Sequence, residues 1–186
     1  MTTTPDITPA LVEALRDAGR RNEAFDRLTA AMLRPLYWHI RRLVVVHEDA
    51  QDACQECFVK AYDGLEAFRG GADELRAWLY RIATRAALTL LRRRRRSLFA
   101  SLDEVGRELA VRVADEAGPD ADRALVRLHE AVLELPLKQR LVFNLRYFDD
   151  LPYAAIARIL GEREQTLKVN YHYAVKKLKT KLASHE

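Results

Sequence analysis

Several protein classes need residues that this sequence has in short supply. It contains two cysteines, seven glycines and six prolines among 186 residues, and 8% of its residues are aromatic. This composition argues against collagen-like repeats, low-complexity disorder and a β architecture rich in tight turns. The longest apolar runs, such as Leu43–Val46 and Ala86–Leu91, are far shorter than the roughly 18 residues that a membrane-spanning helix needs.

The first residues and the two cysteines argue against further classes. Met1–Pro5 has neither the basic start nor the apolar stretch of a signal peptide, so we expect a cytosolic protein. Cys54 and Cys57 form a C-x-x-C pair, but a zinc site needs two more ligands, and His47 is the only candidate nearby. A thioredoxin-like motif would follow a strand, which is missing here. We interpret both cysteines as small buried helix residues and expect neither a metal nor a cofactor.

The distribution of charge is more informative than its total. Lys and Arg number 31 against 27 Asp and Glu, a net charge of +4 that is too small to indicate a partner. Residues 1–97 hold 17 basic and 13 acidic side chains, residues 98–124 hold 3 and 7, and residues 125–186 hold 11 and 7. This order of basic, acidic and basic segments predicts two domains joined by an acidic linker.

Apolar residues recur at helical spacing along nearly the whole chain, and no segment supports a strand. The pattern predicts an all-α fold with two helical domains. Thr8 and Pro9 have the chemistry of a helix start. Asn22 and Asp73 can cap later helices, and Pro35 is expected to break or kink the second helix. The predicted helices cover about residues 8–19, 22–46, 48–65, 73–96, 102–113, 120–134, 136–148, 152–161 and 163–182.

Residues 152–182 have the sequence form of a helix-turn-helix, with Gly161 at the turn. The longer second helix has an inward apolar stripe and carries five lysines against one acid, Glu164. Such a helix can enter the major groove, where lysines contact phosphates and Gln165, Asn170 or His172 reach base edges. The alternative is a solvated helix in a bundle, but the turn and the single sign of charge favour DNA.

A run of five arginines, Arg92–Arg96, ends the long helix that begins near residue 73. Alone it is weak evidence, because cations also suit the negative end of a helix dipole. Aromatic residues lie upstream, and rings that stack on bases beside arginines that neutralise phosphates are what single-stranded DNA needs. The spacing of Trp78 predicts a core residue. The surface candidates are Tyr80, Arg81, Thr84 and Arg85.

Four segments together resemble one protein family. Asp49–Phe58 resembles the "DAEDxxQExF" helix of extracytoplasmic-function (ECF, group IV) sigma-70 factors. Ala77–Ala83 and the arginine run resemble their promoter-melting helix, and Leu135–Phe143 resembles the start of their region 4. The helix-turn-helix follows, ending in Leu167–Leu178. The resemblance covers most of the chain with its motifs in order, which is far more specific than any single motif.

The resemblance implies an organisation and a function. Residues 1–21 would form an N-terminal helix, 22–97 a region 2-like domain, 98–121 the acidic linker and 122–183 a region 4-like domain. The chain would bind core RNA polymerase in the bacterial cytoplasm, recognise −35 and −10 promoter elements and aid melting, without being an enzyme. An anti-sigma factor is a further expected partner. The alternatives are an autonomous helix-turn-helix regulator that acts without polymerase and a helical adaptor that binds only protein.

The resemblance also assigns residues to three surfaces. The polymerase clamp helices would contact Asp49, Asp52, Gln55 and Glu56, and the flap would be a second contact on the polymerase. Single-stranded −10 DNA would contact Phe68, Arg69, Tyr80, Arg81, Thr84, Arg85 and Arg92. Duplex −35 DNA would contact Arg163, Gln165, Thr166, Lys168, Val169, His172 and Lys176.

The chain departs from the family pattern at several of these surfaces. Arg85 and Thr89 replace an Asn and an Asp, which implies a different −10 specificity. Ala155 replaces a Glu, and Arg163 stands where a capping Ser is usual. Arginines of the family's second helix are replaced by Asn170, Tyr173 and Val175. His172 and the lysines would therefore carry more of the −35 contact.

Overall fold

The computed structural model describes residues 7–44, 46–97 and 122–183. Within these ranges every regular element is helical, which confirms the all-α prediction. The helices are α1 Pro9–Arg16, α2 Arg21–Val44, α3 His47–Gly64, α4 Ala72–Ser97, α5 Asp122–Leu133, α6 Leu137–Phe143, α7 Tyr153–Leu160 and α8 Glu164–Ala183. A 3-10 turn, Leu65–Ala67, follows α3, and a π turn, Asn144–Phe148, follows α6. The acidic linker and its predicted helix near 102–113 lie outside the described residues.

The start of α1 confirms the helix signal in the sequence. Thr8 is the N-cap, and its Oγ1 accepts a hydrogen bond from the backbone N–H of Leu11 at 3.2 Å. Pro9 occupies the first turn, where its missing N–H costs no helical hydrogen bond. The helix then buries Leu11, Val12 and Leu15.

Two predicted caps are wrong, and of the predicted break or kink at Pro35, the break does not occur. Asn22 and Asp73 lie in the first turns of α2 and α4, because both helices begin earlier than their apolar patterns indicated. At the start of α4, Glu74 Oε2 instead accepts the N–H of Gly71 at 3.0 Å. Pro35 lies inside α2, which is not divided there. A proline inside a helix costs about 3 kcal/mol, and the fully buried α2 residues Leu28, Met32, Leu36 and Ile40 supply packing that offsets it.

The N-terminal unit, α1–α4, has α2, α3 and α4 packed on one another. Cys54 and Cys57 face the inside of this bundle and are buried, as the sequence predicted. Their Sγ atoms lie 4.0 Å from the Leu33 carbonyl oxygen and 3.8 Å from that of Leu79. Of the helices in the described ranges, none combines the length and apolarity that crossing a bilayer requires.

The C-terminal unit, α5–α8, contains the predicted helix-turn-helix. Gly161 ends α7 with φ of 70°, and its N–H donates to the Ala157 carbonyl at 2.8 Å. Residues Leu167, Ala174 and Leu178 face inward along α8 and are buried. Because these three side chains pack inward, the opposite side of α8 remains exposed.

The two units contact each other directly, with α4 lying against α7. Apolar side chains of both units form one continuous core. The buried members of this core from the C-terminal unit are Leu141, Val142, Leu145, Leu151, Ala155, Ile156, Ile159 and Leu167. A smaller core under α5 and α8 contains Ala131, Val132, Leu135, Phe143, Ala174 and Leu178.

Candidate nucleic-acid and polymerase interfaces

The outer side of α3 carries the residues predicted to contact polymerase. Asp52, Gln55 and Glu56 are exposed, and Asp49 is half-buried in the first turn. Glu56 pairs with Lys60 one turn later at 2.6 Å. The helix can present this polar face because its opposite side is buried against α2 and α4.

An apolar groove beside this polar face was missed in the sequence. It lies between α2 and α3, has a volume of about 1360 Å³, and reaches Gln55 at its edge. Leu33, Val59 and Tyr62 line it and remain 50%, 56% and 41% exposed, which is high for large apolar side chains. The signal was present, because Val59 and Tyr62 fall outside the inward stripe of α3.

The loop before α4 holds the first residues predicted to contact −10 DNA. Phe68 is half-buried, its ring centroid 5.1 Å from that of Trp78. Arg69 is exposed and donates from Nη1 to the backbone carbonyls of Glu66 and Phe68 at 2.7 and 2.8 Å. Gly70, with φ of 155°, follows, and its carbonyl accepts from Arg16 Nη2 at 2.6 Å. The loop is thus fixed against α1 and α4.

Along α4, the predicted DNA-contacting residues separate into two sides. Arg81, Arg85 and Arg92 are exposed, as predicted. The prediction that Tyr80 and Thr84 are surface residues is wrong in this arrangement, since they are only 1% and 2% exposed. These two lie one turn apart on the side of α4 that faces α2 and the C-terminal unit.

Specific contacts account for the burial of Tyr80 and Thr84. The Tyr80 ring packs edge-on against His39 of α2, with centroids 5.1 Å apart. The Thr84 hydroxyl lies 2.9 Å from His39 Nε2. Burial, and after it the nearby negative charge of Asp149, raises the pKa of Tyr80 far above its usual value. Asp149 of the C-terminal unit meets the other nitrogen of the same ring, with Oδ2 2.8 Å from His39 Nδ1.

The outer face of α8 brings together the residues predicted to contact −35 DNA. All seven of them are exposed: Arg163, Gln165, Thr166, Lys168, Val169, His172 and Lys176. Lys168 Nζ lies 5.7 Å from the ring centroid of Tyr153, at the start of α7. This contact links the second turn of α8 to the helix before it. Tyr173, 50% exposed and four residues after Val169, was missed as a member of this face although its spacing indicates it.

Aromatic packing holds α8 in place on the unit. The Tyr171 ring stacks on Phe143 of α6, with centroids 5.9 Å apart and an interplanar angle of 15°. It also meets Tyr153 of α7 edge-on at 6.3 Å. At the far end of the helix, Lys181 pairs with Glu134. The outer face is thus supported by a rigid scaffold rather than by a loop.

Comparisons with known proteins agree with this architecture. The family model for sigma-70 region 2 matches residues 28–97, and a model for sigma-70 region 4 matches residues 125–178. The RNA polymerase sigma factor SigV of Bacillus subtilis is 30% identical over 139 residues, which are 75% of this chain and 79% of SigV. The ECF RNA polymerase sigma factor SigW of the same organism is 31% identical over 150 residues, 76% of this chain and 79% of SigW.

A solved structure shows the same fold at lower identity. The sigma factor RpoE from Bartonella quintana, crystallised with the anti-sigma factor NepR, matches with a TM-score of 0.68 at 23% identity. The match covers 87% of this chain and 98% of that one. Both family models match in the expected order, and the relatives match over more than two thirds of their length. The chain therefore belongs to the sigma-70 family, among the ECF RNA polymerase sigma factors.

Proposed function

We propose that this sigma factor divides promoter recognition and polymerase binding among the three surfaces described above. It directs promoter-specific initiation by core RNA polymerase, recognises −35 and −10 elements and aids melting. The bond-making chemistry belongs to the polymerase, so the chain is an initiation factor and not an enzyme. The observation that carries the proposal is that every residue predicted for −35 DNA is exposed on α8 or, for Arg163, directly before it.

The outer face of α8 suits the major groove of duplex DNA. Gly161 turns the chain so that α8 can enter a groove while α7 supports it. Lys168 and Lys176 provide charge for phosphates, and Gln165 and His172 offer hydrogen bonds to base edges. Val169 is 51% exposed and can contact a thymine methyl group.

The loop at Phe68 and the arginines of α4 suit single-stranded −10 DNA. Arg81 and Arg85 are exposed at helical spacing and can neutralise phosphates on one side of a strand. Flipping a base from the duplex costs a few kcal/mol, which stacking and hydrogen bonding in a pocket can offset. Tyr80 and Thr84 are buried against His39 of α2, so the exposed arginines carry this surface.

The polar side of α3 and the adjacent groove suit a protein partner. Asp52 and Glu56 offer negative charge beside the exposed apolar side chains of Leu33, Val59 and Tyr62. Polar rims around apolar centres are common in stable protein interfaces. We assign this surface to the clamp helices of core polymerase and the C-terminal unit to the flap.

The proposal also includes a regulatory partner of the chain and its location in the cell. The related RpoE of Bartonella quintana was crystallised with an anti-sigma factor, which supports an anti-sigma factor as a further partner of this chain. The related sigma factors SigV and SigW come from the bacterium Bacillus subtilis. We therefore place this chain in the cytoplasm of a bacterium, together with the polymerase.

Run-off transcription with purified bacterial core polymerase tests the proposal. The full chain is expected to co-purify with core polymerase and to direct transcripts from selected promoters, which core alone does not produce. Glu56→Arg is expected to weaken the complex with core. Its matched control, Glu13→Arg on α1, makes the same charge change on another exposed helix. Tight, specific duplex binding without any association with core would instead support an autonomous helix-turn-helix regulator.

A further inference from the structure

The loop between α3 and α4 is anchored by a helix that lies far from it in the sequence. We call Phe68–Gly71 the −10 loop, since the proposed function assigns it to single-stranded −10 DNA. Arg16, in the last turn of α1, donates from Nη2 to the Gly70 carbonyl at 2.6 Å, across 54 positions of sequence. Its other terminal nitrogen, Nη1, donates to Glu13 Oε1 at 2.6 Å. A neighbour on α1 thus holds the guanidinium where it meets the loop.

A second arginine connects the same region to the turn that leads into the loop. Arg21, at the start of α2, donates from Nε to the Leu15 carbonyl at 3.3 Å and from Nη1 to Glu66 Oε1 at 2.8 Å. We call Arg16 and Arg21 the arginine brace, because they hold the chain at Glu66 and at Gly70. Ion pairs with an exposed partner contribute little to global stability, so the effect of the brace is local.

The brace ties the −10 loop to the packed helices rather than to itself. The hydrogen bonds of Arg69 and Gly71 described above join residues at most three positions apart. The ring contact of Phe68 with Trp78 fixes one end of the loop, and the brace fixes the other. Helix α1 is itself held against α2 and α4 by buried side chains, which are Leu11, Val12 and Leu15. The Gly70 end of the loop is therefore fixed to a rigid element.

Gly70 can bring its carbonyl to Arg16 because it has no side chain. A Cβ at this position would lie 2.6 Å from Glu74 Cβ and 3.0 Å from Phe68 Cζ, closer than atoms in real structures approach. Any larger residue would move the loop away from its present path. The glycine and the arginine, which lie on different elements, therefore depend on each other for this contact.

We propose that the arginine brace is a positioning device that holds the −10 loop in the conformation that receives an unpaired −10 base. This inference rests on the proposed function, which assigns the loop to −10 DNA. A loop that is already ordered loses less free energy on binding, and a loop that cannot repack discriminates better between bases. Both α1 and Arg21 precede residue 28, where the match to sigma-70 region 2 begins. A segment outside the matched domain thus adjusts the base selectivity of that domain.

The experiment compares four single variants of the full chain. Arg16→Ala removes the donor to Gly70, and Arg16→Lys keeps a cationic donor. Gly70→Ala disturbs the same contact from the loop, through the Cβ that would collide with Glu74. Arg20→Ala is the matched control, since it removes the same charge close by, from a side chain that pairs with Asp17 at 2.9 Å. Arg16 is 44% exposed, so its replacement is not expected to unfold the chain.

Hydrogen exchange of the full chain without DNA or polymerase tests the brace itself. Because an exposed side-chain contact is weak, Arg16→Ala is expected to speed exchange of the amides of residues 66–74 roughly two- to fivefold. Gly70→Ala should have an effect in the same direction, and Arg16→Lys should restore part of the protection. Arg20→Ala should exchange like the parent chain. Exchange in the buried parts of α2 and α3 should not change in any variant, which separates a local effect from a global loss of stability.

Strand binding by the holoenzyme tests the effect on base selection. Each chain is combined with core polymerase and titrated with the non-template −10 strand of a promoter that the parent transcribes, and with single-base variants of that strand. Arg16→Ala is expected to bind the parent strand roughly two- to fivefold more weakly and to lose discrimination against the altered bases by a similar factor. Its salt dependence should equal that of Arg20→Ala. A direct contact of Arg16 with phosphate would instead reduce the slope in log salt by about 0.7.

The outcomes separate this inference from the proposed function. If the loop of Arg16→Ala exchanges no faster than that of Arg20→Ala, the brace does not hold the loop and the inference is overturned. If exchange quickens while base discrimination stays at the parent value, or if the salt slope falls by a phosphate contact, a positioning role for Arg16 is refuted. A parent holoenzyme that binds the −10 strand no better than a random strand would refute the −10 assignment itself, before any variant is compared.

Discussion

His39 and Asp149 lie 110 positions apart in the sequence, and His39 Nδ1 is 2.8 Å from Asp149 Oδ2 in the folded chain. The pair is almost fully buried, with the two side chains 0% and 3% exposed. It spans the two units that the family assigns to different promoter elements. The relative placement of the two units therefore depends on a polar interaction that neither unit can satisfy alone.

A double-mutant cycle on this pair is expected to show strong coupling. His39→Leu and Asp149→Leu should each cost about 1–3 kcal/mol, because each leaves a buried partner unsatisfied. The double variant should cost less than the sum, with an interaction energy of about 1–3 kcal/mol. Urea unfolding measures all four chains. A cycle of Asp149→Leu with Lys60→Leu, which shares no partner with Asp149, should be additive within about 0.5 kcal/mol.

His129 should make the folded chain sensitive to mild acid. It is 5% exposed and stacks on Phe148 with ring centroids 4.8 Å apart. Burial, and then the positive charge of Arg42, lowers the pKa of His129 from 6.5 to about 4. The unfolded chain takes up a proton near pH 6.5 and the folded chain does not, so stability is lost as the pH falls from about 6.5 to 4. The loss attributable to this group is about 3 kcal/mol.

The measurement compares the parent chain with His129→Phe, which keeps an aromatic ring on Phe148. Urea unfolding at pH 7 and at pH 4.5 isolates the histidine, because carboxylates titrate alike in both chains. The free energy of unfolding should fall more steeply with acid in the parent. If the free energy of unfolding falls equally with acid in the two chains, folding does not lower the pKa of His129.

Local signals in the sequence were sufficient for some elements and not for others. Thr8 and Gly161 cap helices through contacts with residues three or four positions away. A helix start and a turn could therefore be predicted at their positions. The inward stripe of α8 likewise determined which residues would be exposed. The α2 start was placed late because Asn22 is a good capping residue, yet its side chain instead accepts the Tyr62 hydroxyl at 2.7 Å.

The contact between the units could not be predicted because no periodic pattern marks it. The places of Tyr80 and Thr84 on α4 predicted surface residues. Both are buried, because side chains distant in sequence, such as His39, pack against them. Asp149 follows the Asn144–Phe148 turn, where no apolar pattern marks it as a buried residue. Its burial depends on Arg42 and His39 meeting it from another unit, and helical spacing carries no information about such pairs.

Gly161 should be replaceable by asparagine at lower cost than by alanine. Its φ of 70° is left-handed, and an added Cβ would meet nothing within 4 Å, so the cost comes from the backbone alone. Gly161→Ala should destabilise the chain by about 1 kcal/mol, and Gly161→Asn by less, because asparagine tolerates this conformation. Thermal unfolding measures both. Gly19→Ala is the control, since its φ does not lie in the left-handed range.

The two thiols should be protected from reaction in the folded chain. Burial raises the pKa of Cys54 to about 11, and burial with the nearby Cys54 raises that of Cys57 to about 12. Since the thiolate is the reactive form, labelling by a disulfide reagent at pH 8 should be at least about a hundredfold slower than in urea. The single variants Cys54→Ser and Cys57→Ser show which thiol gives rise to each phase of labelling. Fast labelling of either native thiol would contradict the burial.

Lys168 and His172, one turn apart on the exposed face of α8, should contribute differently to −35 binding. A lysine that contacts phosphate carries no sequence information, so Lys168→Ala should weaken all duplexes alike and reduce the salt dependence by about one phosphate contact. A histidine that reads a base edge should cost about 1–3 kcal/mol at one base pair when changed to alanine, and relax specificity there. Titrations of a promoter set at several salt concentrations, with the exposed Lys179→Ala at the far end of the helix as control, separate the two effects. If both variants lose affinity equally for all duplexes, His172 contacts the DNA backbone and not a base. Gln165 and Val169 would then be the base-reading residues of this face.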